Sequence, residues 1–196
     1  MDDEGLLERL LAGDEAAFRE LVERHHETLV RVAGLYVASR SAAEDVAQDT
    51  WLAVLKGVHR FEGRSSLKTW LLRILVNRAR TTGVREHRQV PIDPTGTVDA
   101  SRFAASGAWA DPPEPFTEAV ERRLDDAGLV ADVRAAIDTL PEAQRAVVTL
   151  RDVEGLSTGE VASLLALSEG NVRVLLHRGR AKVRAAIEAT VRGGVR

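Results

Sequence analysis

The chain has no cysteine, so no disulfide, zinc-thiolate site or thiol switch can form within it. It also has no long apolar run, which excludes a membrane span, and it opens with Asp2, Asp3 and Glu4 where a secretory signal needs positive charge. Membrane insertion is therefore not expected, and the cytoplasm is the expected compartment. No nucleophile–base pair, phosphate-binding loop or cluster of metal ligands stands out, so neither catalytic residues, nor a metal, nor a cofactor is expected and the chain does not read as an enzyme. The adjacent His25 and His26 point about 100° apart on a helix and are poor joint metal ligands.

What is present is ordinary in bulk and unusual in arrangement. A chain of 196 residues, 44% hydrophobic and 29% charged, can form one soluble domain or two small ones. Its net charge of −3 conceals blocks of alternating sign. Residues 1–55 carry 5 cations against 12 anions, 56–90 carry 9 against 2, 91–140 carry 4 against 10, and 141–196 carry 9 against 6. Two separated basic blocks suggest two contacts with a polyanion, and the acidic blocks suggest protein surfaces or self-masking of the basic ones.

Helical periodicity runs through residues 3–37, with a break near Gly13 where Asp14 can cap a segment carrying Phe18, Leu21, Val22, Leu29, Val32 and Leu35. Ser41 and Glu44 have capping-box spacing, which predicts a helix from there to about Lys56. Ala43, Ala47, Trp51 and Val54 share its inner side. Asp45, Gln48, Asp49, Leu52 and Lys56 share the other, which is either a protein-binding surface or a solvated face with an incidental leucine. Phe61, Glu62, Gly63, Arg64, Ser65 and Ser66 read as a loop, and either serine can cap the helix that follows. On that helix Leu67, Leu71, Ile74 and Leu75 form a core face, while Ser66, Thr69, Arg73, Asn77 and Arg80 form a polar stripe beside Trp70. Cations, an amide, hydroxyls and an aromatic plane suit a single nucleic-acid strand, although a tryptophan on an amphipathic helix is more often half-buried core than a base platform.

Periodicity disappears over 91–116, where Pro, Gly, Ser, Asp and Thr accumulate around two large aromatics, Phe103 and Trp109, that suggest docking. The fold expected is all-α: two small helical domains, 1–90 and 117–196, joined by a flexible linker, 91–116. In the second domain Leu140 and Pro141 precede a helix carrying Val147, Val148 and Leu150 that stops at Gly155. Beyond it, Ser157 and Glu160 form a capping box for a short helix from about Thr158, and Ser168 can cap a second helix through Asn171 to at least Ile187. Val172, Leu176, Gly179 and Val183 lie on the side expected to face the first helix. Arg173, His177, Arg178, Arg180 and Arg184 spread over the other side, with no acidic residue between Gly170 and Ile187. A short helix, a tight turn and a basic helix describe a helix-turn-helix with its second helix in the major groove of DNA.

The segments AEDVAQDTWLAVLK from Ala43, FEGRSSLKTWLLRILVNRAR from Phe61, LPEAQRAVVTLRDVEGLSTGEVASLL from Leu140 and SEGNVRVLLHRGRAKVR from Ser168 together resemble the extracytoplasmic-function group of bacterial sigma factors. The resemblance implies core RNA polymerase and promoter DNA as partners, with an anti-sigma factor as a further one. It implies that Asp45, Gln48, Asp49 and Leu52 bind the clamp helices of the largest polymerase subunit. It implies that Phe61 to Ser66 capture a flipped base of the -10 element, with Trp70, Asn77, Arg78 and Arg80 near the melted strand. Ser168, Asn171, Arg173, Val174, His177 and Arg178 fall in the helix that reads the -35 element, and the linker is implied to run through polymerase toward its cleft.

Two departures from the family pattern stand out. The loop commonly has a basic residue after the phenylalanine and an acidic one before the serines, whereas Glu62 and Arg64 reverse both charges, so the family's base preference does not carry over to it. The recognition helix commonly reads Ser-Arg where this chain has Val174 and Leu175, and an apolar Val174 aimed at the groove can pack only on a thymine methyl. Two rivals remain: a plain DNA-binding regulator, which leaves the Asp45 stripe and Phe61 to Arg80 without a purpose, and a metal nuclease using Asp45, Asp49 and a histidine.

Overall fold

The computed structural model describes residues 3–85 and 127–193, and every regular element among them is helical. The chain divides into two units, 1–90 and 91–196. The expected linker 91–116, with Phe103 and Trp109, and the expected helical start at Thr117 lie outside the described residues.

The first unit contains α1 (Asp3–Leu11), α2 (Glu15–Ala33), α3 (Arg40–Gly57) and α4 (Leu67–Arg85), with one 3-10 turn at Val58–Arg60. Asp14 caps α2 as expected, its Oδ1 accepting from the N–H of Ala16 at 2.8 Å and of Ala17 at 3.3 Å. Arg9 donates to its other oxygen at 2.7 Å and holds the carboxyl below the usual carboxylate range. The cap of α3 falls on Ser39 and not on Ser41: Ser39 Oγ accepts from the N–H of Ala42 at 3.1 Å. Glu44, the expected partner of a Ser41 box, instead takes a hydrogen bond from Arg40 at 2.9 Å, one helical turn back.

The core of this unit is aliphatic, with Leu6, Leu21, Leu29, Val32, Val54, Leu71, Leu72, Leu75 and Val76 fully buried. Each such side chain withdrawn from water contributes roughly 1.5–3 kcal/mol before chain entropy is set against it. Trp51 closes one end, meeting Phe18 edge-to-face at 5.9 Å and donating its indole N–H to His26 Nδ1 at 3.4 Å. That contact gives His26 a packing role, and no group of three metal-ligating side chains exists among the described residues.

The second unit contains α5 (Ala127–Asp138), α6 (Glu142–Val148), α7 (Thr158–Leu165) and α8 (Glu169–Gly193). Helix α6 does not simply stop before Gly155; it widens into a π turn over Thr149–Val153, closed by Glu154 N–H to Thr149 C=O at 2.9 Å. Gly155, at φ 73°, turns the chain out of it. The capping box of α7 is present in both halves: Glu160 N–H donates to Ser157 Oγ at 3.2 Å, and Ser157 N–H to Glu160 Oε2 at 2.8 Å.

Between α7 and α8 the chain turns through Ala166 at φ 59° and ψ 45°, and Leu167 N–H bonds back to Ala162 C=O at 2.9 Å. A Cβ in the left-handed region costs about 1–2 kcal/mol, more than the about 0.4–1 kcal/mol of unfolded-chain entropy that an alanine saves over glycine. Ala166→Gly is therefore expected to stabilise this unit by about 0.5–1 kcal/mol, seen as a higher urea midpoint of the full chain. A midpoint at or below that of the parent would show that the Cβ is not a source of strain.

Candidate protein and nucleic-acid interfaces

Helix α3 presents Asp45, Gln48, Asp49 and Leu52 to solvent together, with Leu52 51% exposed. No hydrogen bond or ion pair ties the side chain of Asp45, Gln48 or Asp49 to another described residue. Two unpaired carboxylates one turn apart repel each other by a few tenths of a kcal/mol, so this stripe is a slight liability to the isolated helix. Leu55, 52% exposed, adds a second aliphatic residue that the sequence reading passed over, although its spacing of three from Leu52 puts it on the neighbouring row of the same surface. It borders a groove of about 530 Å³ floored by Leu10, Phe18, Val22 and Val58.

The loop that leads into α4 is pinned at both ends. Phe61 packs on Trp70 with ring centroids 5.3 Å apart and planes 57° apart, while Ser66 Oγ caps α4 by accepting Thr69 N–H at 3.1 Å and pairs with Thr69 Oγ1 at 2.8 Å. Between them Glu62, Gly63 and Arg64 are exposed, Glu62 and Arg64 form an ion pair with each other, and Ser65 is half-buried. The two charges that depart from the family pattern are thus reversed as a pair and still neutralise one another.

The polar stripe of α4 is shorter than the helical wheel suggests. Thr69 is only 3% exposed, drawn inward by the Ser66 cap, and Arg80 is half-buried beside Tyr36. Burial pushes the Tyr36 hydroxyl above its ordinary range and the Arg80 guanidinium opposes the shift, but the hydroxyl oxygen completes no well-formed hydrogen bond. Arg73, Asn77 and Arg78 are exposed, and Asn77 and Arg78 have no side-chain partner among the described residues. Trp70 is half-buried, and with Phe61 against it the ring is not an open platform on both faces.

In the second unit Ser168 Oγ caps α8 by accepting Asn171 N–H at 3.2 Å. Asn171 itself is only 6% exposed, which leaves it little surface to offer a base edge. Val174 is half-buried and Arg178 is exposed with no partner among the described residues, whereas Arg173 is bonded to Glu169 at 2.8 Å.

The Val172 and Leu176 side of α8 is buried as expected, but Gly179 approaches α6 and not α7. A Cβ built at Gly179 would lie 2.6 Å from Val148 Cγ2. One residue on, Arg180 departs from the basic side and forks onto the π turn, its Nε 2.8 Å from Asp152 Oδ2 and a terminal nitrogen 2.5 Å from Oδ1. That carboxylate raises the already high affinity of the guanidinium for its proton. The pair borders an open groove of about 490 Å³ with an apolar floor of Val133, Ile137, Val148, Val153, Leu176 and Val183, and His177 and Arg184 stand on the same rim.

Residues 21–89 match the family described as Sigma-70 region 2, and residues 131–183 match Sigma-70, region 4. The ECF RNA polymerase sigma-E factor of Escherichia coli (strain K12) is 30% identical over 192 residues, spanning 98% of this chain and 97% of its own. The RNA polymerase sigma-H factor of Pseudomonas aeruginosa is 31% identical over 190 residues, spanning 97% and 96%. Among solved structures, CnrH in complex with the cytosolic domain of CnrY is similar at 25% identity with a TM-score of 0.58, covering 95% of this chain and 97% of that one. The fold is also that of the sigma factor RpoE of Bartonella quintana, solved with the anti-sigma factor NepR, with a TM-score of 0.57, 22% identity and coverage of 87% and 96%. Likeness at this level along nearly the whole chain, with both sigma regions in order on two helical units, means that the chain belongs to the extracytoplasmic-function (ECF) group of RNA polymerase sigma factors.

Proposed function

We propose that this chain binds core RNA polymerase and directs it to promoters, the first unit engaging polymerase and the -10 element and the second reading the -35 element. The observation that carries the reading is the end-to-end likeness to ECF sigma factors, because promoter selection needs both regions on one chain. The local geometry supports it. An exposed aliphatic residue among unpartnered acids on α3 suits a protein partner of opposite charge. A capped loop followed by the exposed Arg73, Asn77 and Arg78 suits an opened strand, and a capped basic helix after a tight turn suits a major groove.

In this mechanism the protein makes no covalent bond. Contacts from α8 to phosphates and base edges fix register on the duplex, the loop from Phe61 to Ser66 holds a base taken out of the stack, and polymerase supplies the catalysis. The work is cytoplasmic, where polymerase and promoters are, and no described helix is long and apolar enough to cross a membrane. An anti-sigma factor is the further partner, as NepR is for the sigma factor RpoE of Bartonella quintana.

Run-off transcription of fragmented genomic DNA from the source bacterium, with core polymerase alone and with the purified chain added, tests this directly. Discrete start sites that depend on the chain are expected. Identical transcript patterns with and without it would sink the assignment.

A further inference from the structure

Arg180 lies in the most basic stretch of the chain, on the helix assigned to the major groove, yet its guanidinium is already occupied. Both prongs of the fork go to Asp152, 28 residues earlier, and the geometry is the two-bond match that makes arginine–carboxylate pairs directional. The π turn is what brings the acid there: the widened turn at Thr149–Val153 carries Asp152 toward α8 at the level where Gly179 touches Val148. The close approach and the ionic fork occupy consecutive residues of α8, so α8 is fixed to the α6 segment at one level by two different kinds of contact.

We propose that Asp152 and Arg180 form a positioning clamp for the recognition helix, and that Arg180 is therefore withheld from the DNA backbone, leaving Arg178 as the phosphate contact in this part of α8. The proposal rests on the DNA-binding reading above and extends it to which cations of α8 are counted by the DNA. Arg173 and Arg180 both have carboxylate partners, and Arg178 has none among the described residues. Sequence alone counts all three as equivalent.

The number of phosphates neutralised is read from the salt dependence of binding, with a slope of about −0.9 per contact on duplex DNA. The full chain and its variants are titrated against a labelled duplex of random sequence over a salt series, with fluorescence anisotropy as the signal. Arg178→Ala is expected to make the slope shallower by about 0.9, which is about a 3.5-fold change in the ratio of affinities at 50 and 200 mM salt. Arg180→Ala is expected to leave the slope unchanged. Asp152→Ala, by releasing Arg180, is expected to steepen it by about the same 0.9, and Asp152→Glu, which can rebuild the fork, to restore it. A purely structural loss would lower affinity at all salt concentrations without steepening the slope. If Arg180→Ala makes the slope shallower as Arg178→Ala does, the clamp is wrong while the DNA reading stands. If the parent chain binds no duplex at all, the DNA reading fails and the clamp fails with it.

Discussion

Reversing Asp45 and Asp49 to lysine together is expected to weaken capture of core RNA polymerase about 100-fold, on the order of 3 kcal/mol, with helicity unchanged. Both carboxylates are exposed and lack partners within the described residues, so nothing in the fold depends on their sign. The change exchanges one like-charged pair a helical turn apart for another, so α3 itself is expected to be little affected. The loss therefore reports on the partner: a surface that welcomes two carboxylates around Leu52 would face two ammonium groups instead, and like charges held together cost several kcal/mol. Co-purification with core enzyme, with circular dichroism as the control on folding, reads the result. Parent-level binding by the doubly reversed chain would move the polymerase contact away from this stripe.

A comparable loss, this time of stability, is expected from Gly179→Leu. Val148 is buried and β-branched, so its Cγ2 cannot swing aside cheaply, and a Cβ 2.6 Å from it forces α8 and α6 apart. The cost expected is about 3 kcal/mol, at the upper end of overpacking penalties, and with it goes the surface that α8 presents to DNA. Gly179→Ala is expected to cost less, since it adds only the Cβ and offsets part of the clash with about 1 kcal/mol of helix propensity over glycine. Combining it with Val148→Ala should destabilise by less than the two single changes added, because the second removes the atom that the first collides with. Urea unfolding of the four chains decides it, and strict additivity would show that the two residues do not oppose each other.

The caps were the most legible part of this fold. Asp14, Ser157 and Ser168 each accept a backbone N–H at the start of the helix that the sequence assigns to them, and of the two serines open for α4 it is Ser66 that does so, because a cap is decided within four residues. Ser39 shows the limit: Ser41 has the right spacing to Glu44, but the competing pair Arg40–Glu44 is as local and equally satisfied. The core faces followed periodicity for the same reason. What the wheel could not give was the neighbour. It put Gly179 and Val172 on one side without saying that α6 waits at Gly179, and it left Thr69 in the outward stripe although packing covers it. The π turn has no sequence signature of its own, so nothing in the sequence pairs Asp152 with Arg180, 28 residues away. For the interfaces, the exposure of Asp45, Gln48, Asp49, Leu52, Asn77 and Arg178 was readable, whereas the engagement of Arg173, Arg180 and Arg80 was not, since a charge on a wheel carries no information about its partner.

The Glu62–Arg64 pair bears on how a promoter is met. An ion pair is a dipole whose field fades faster than that of a single charge, and beyond a Debye length of about 10 Å at 0.1 M salt it is nearly silent. The loop thus contributes almost nothing to drawing a polyanion in from a distance. On the proposed function that attraction would fall to cations such as Arg78 on α4, which has no partner among the described residues. On the proposed function, capture and discrimination would thus rest on different residues: the helix would pull on any nucleic acid, and the loop would distinguish one base from another only at contact, where the direction of its dipole is felt.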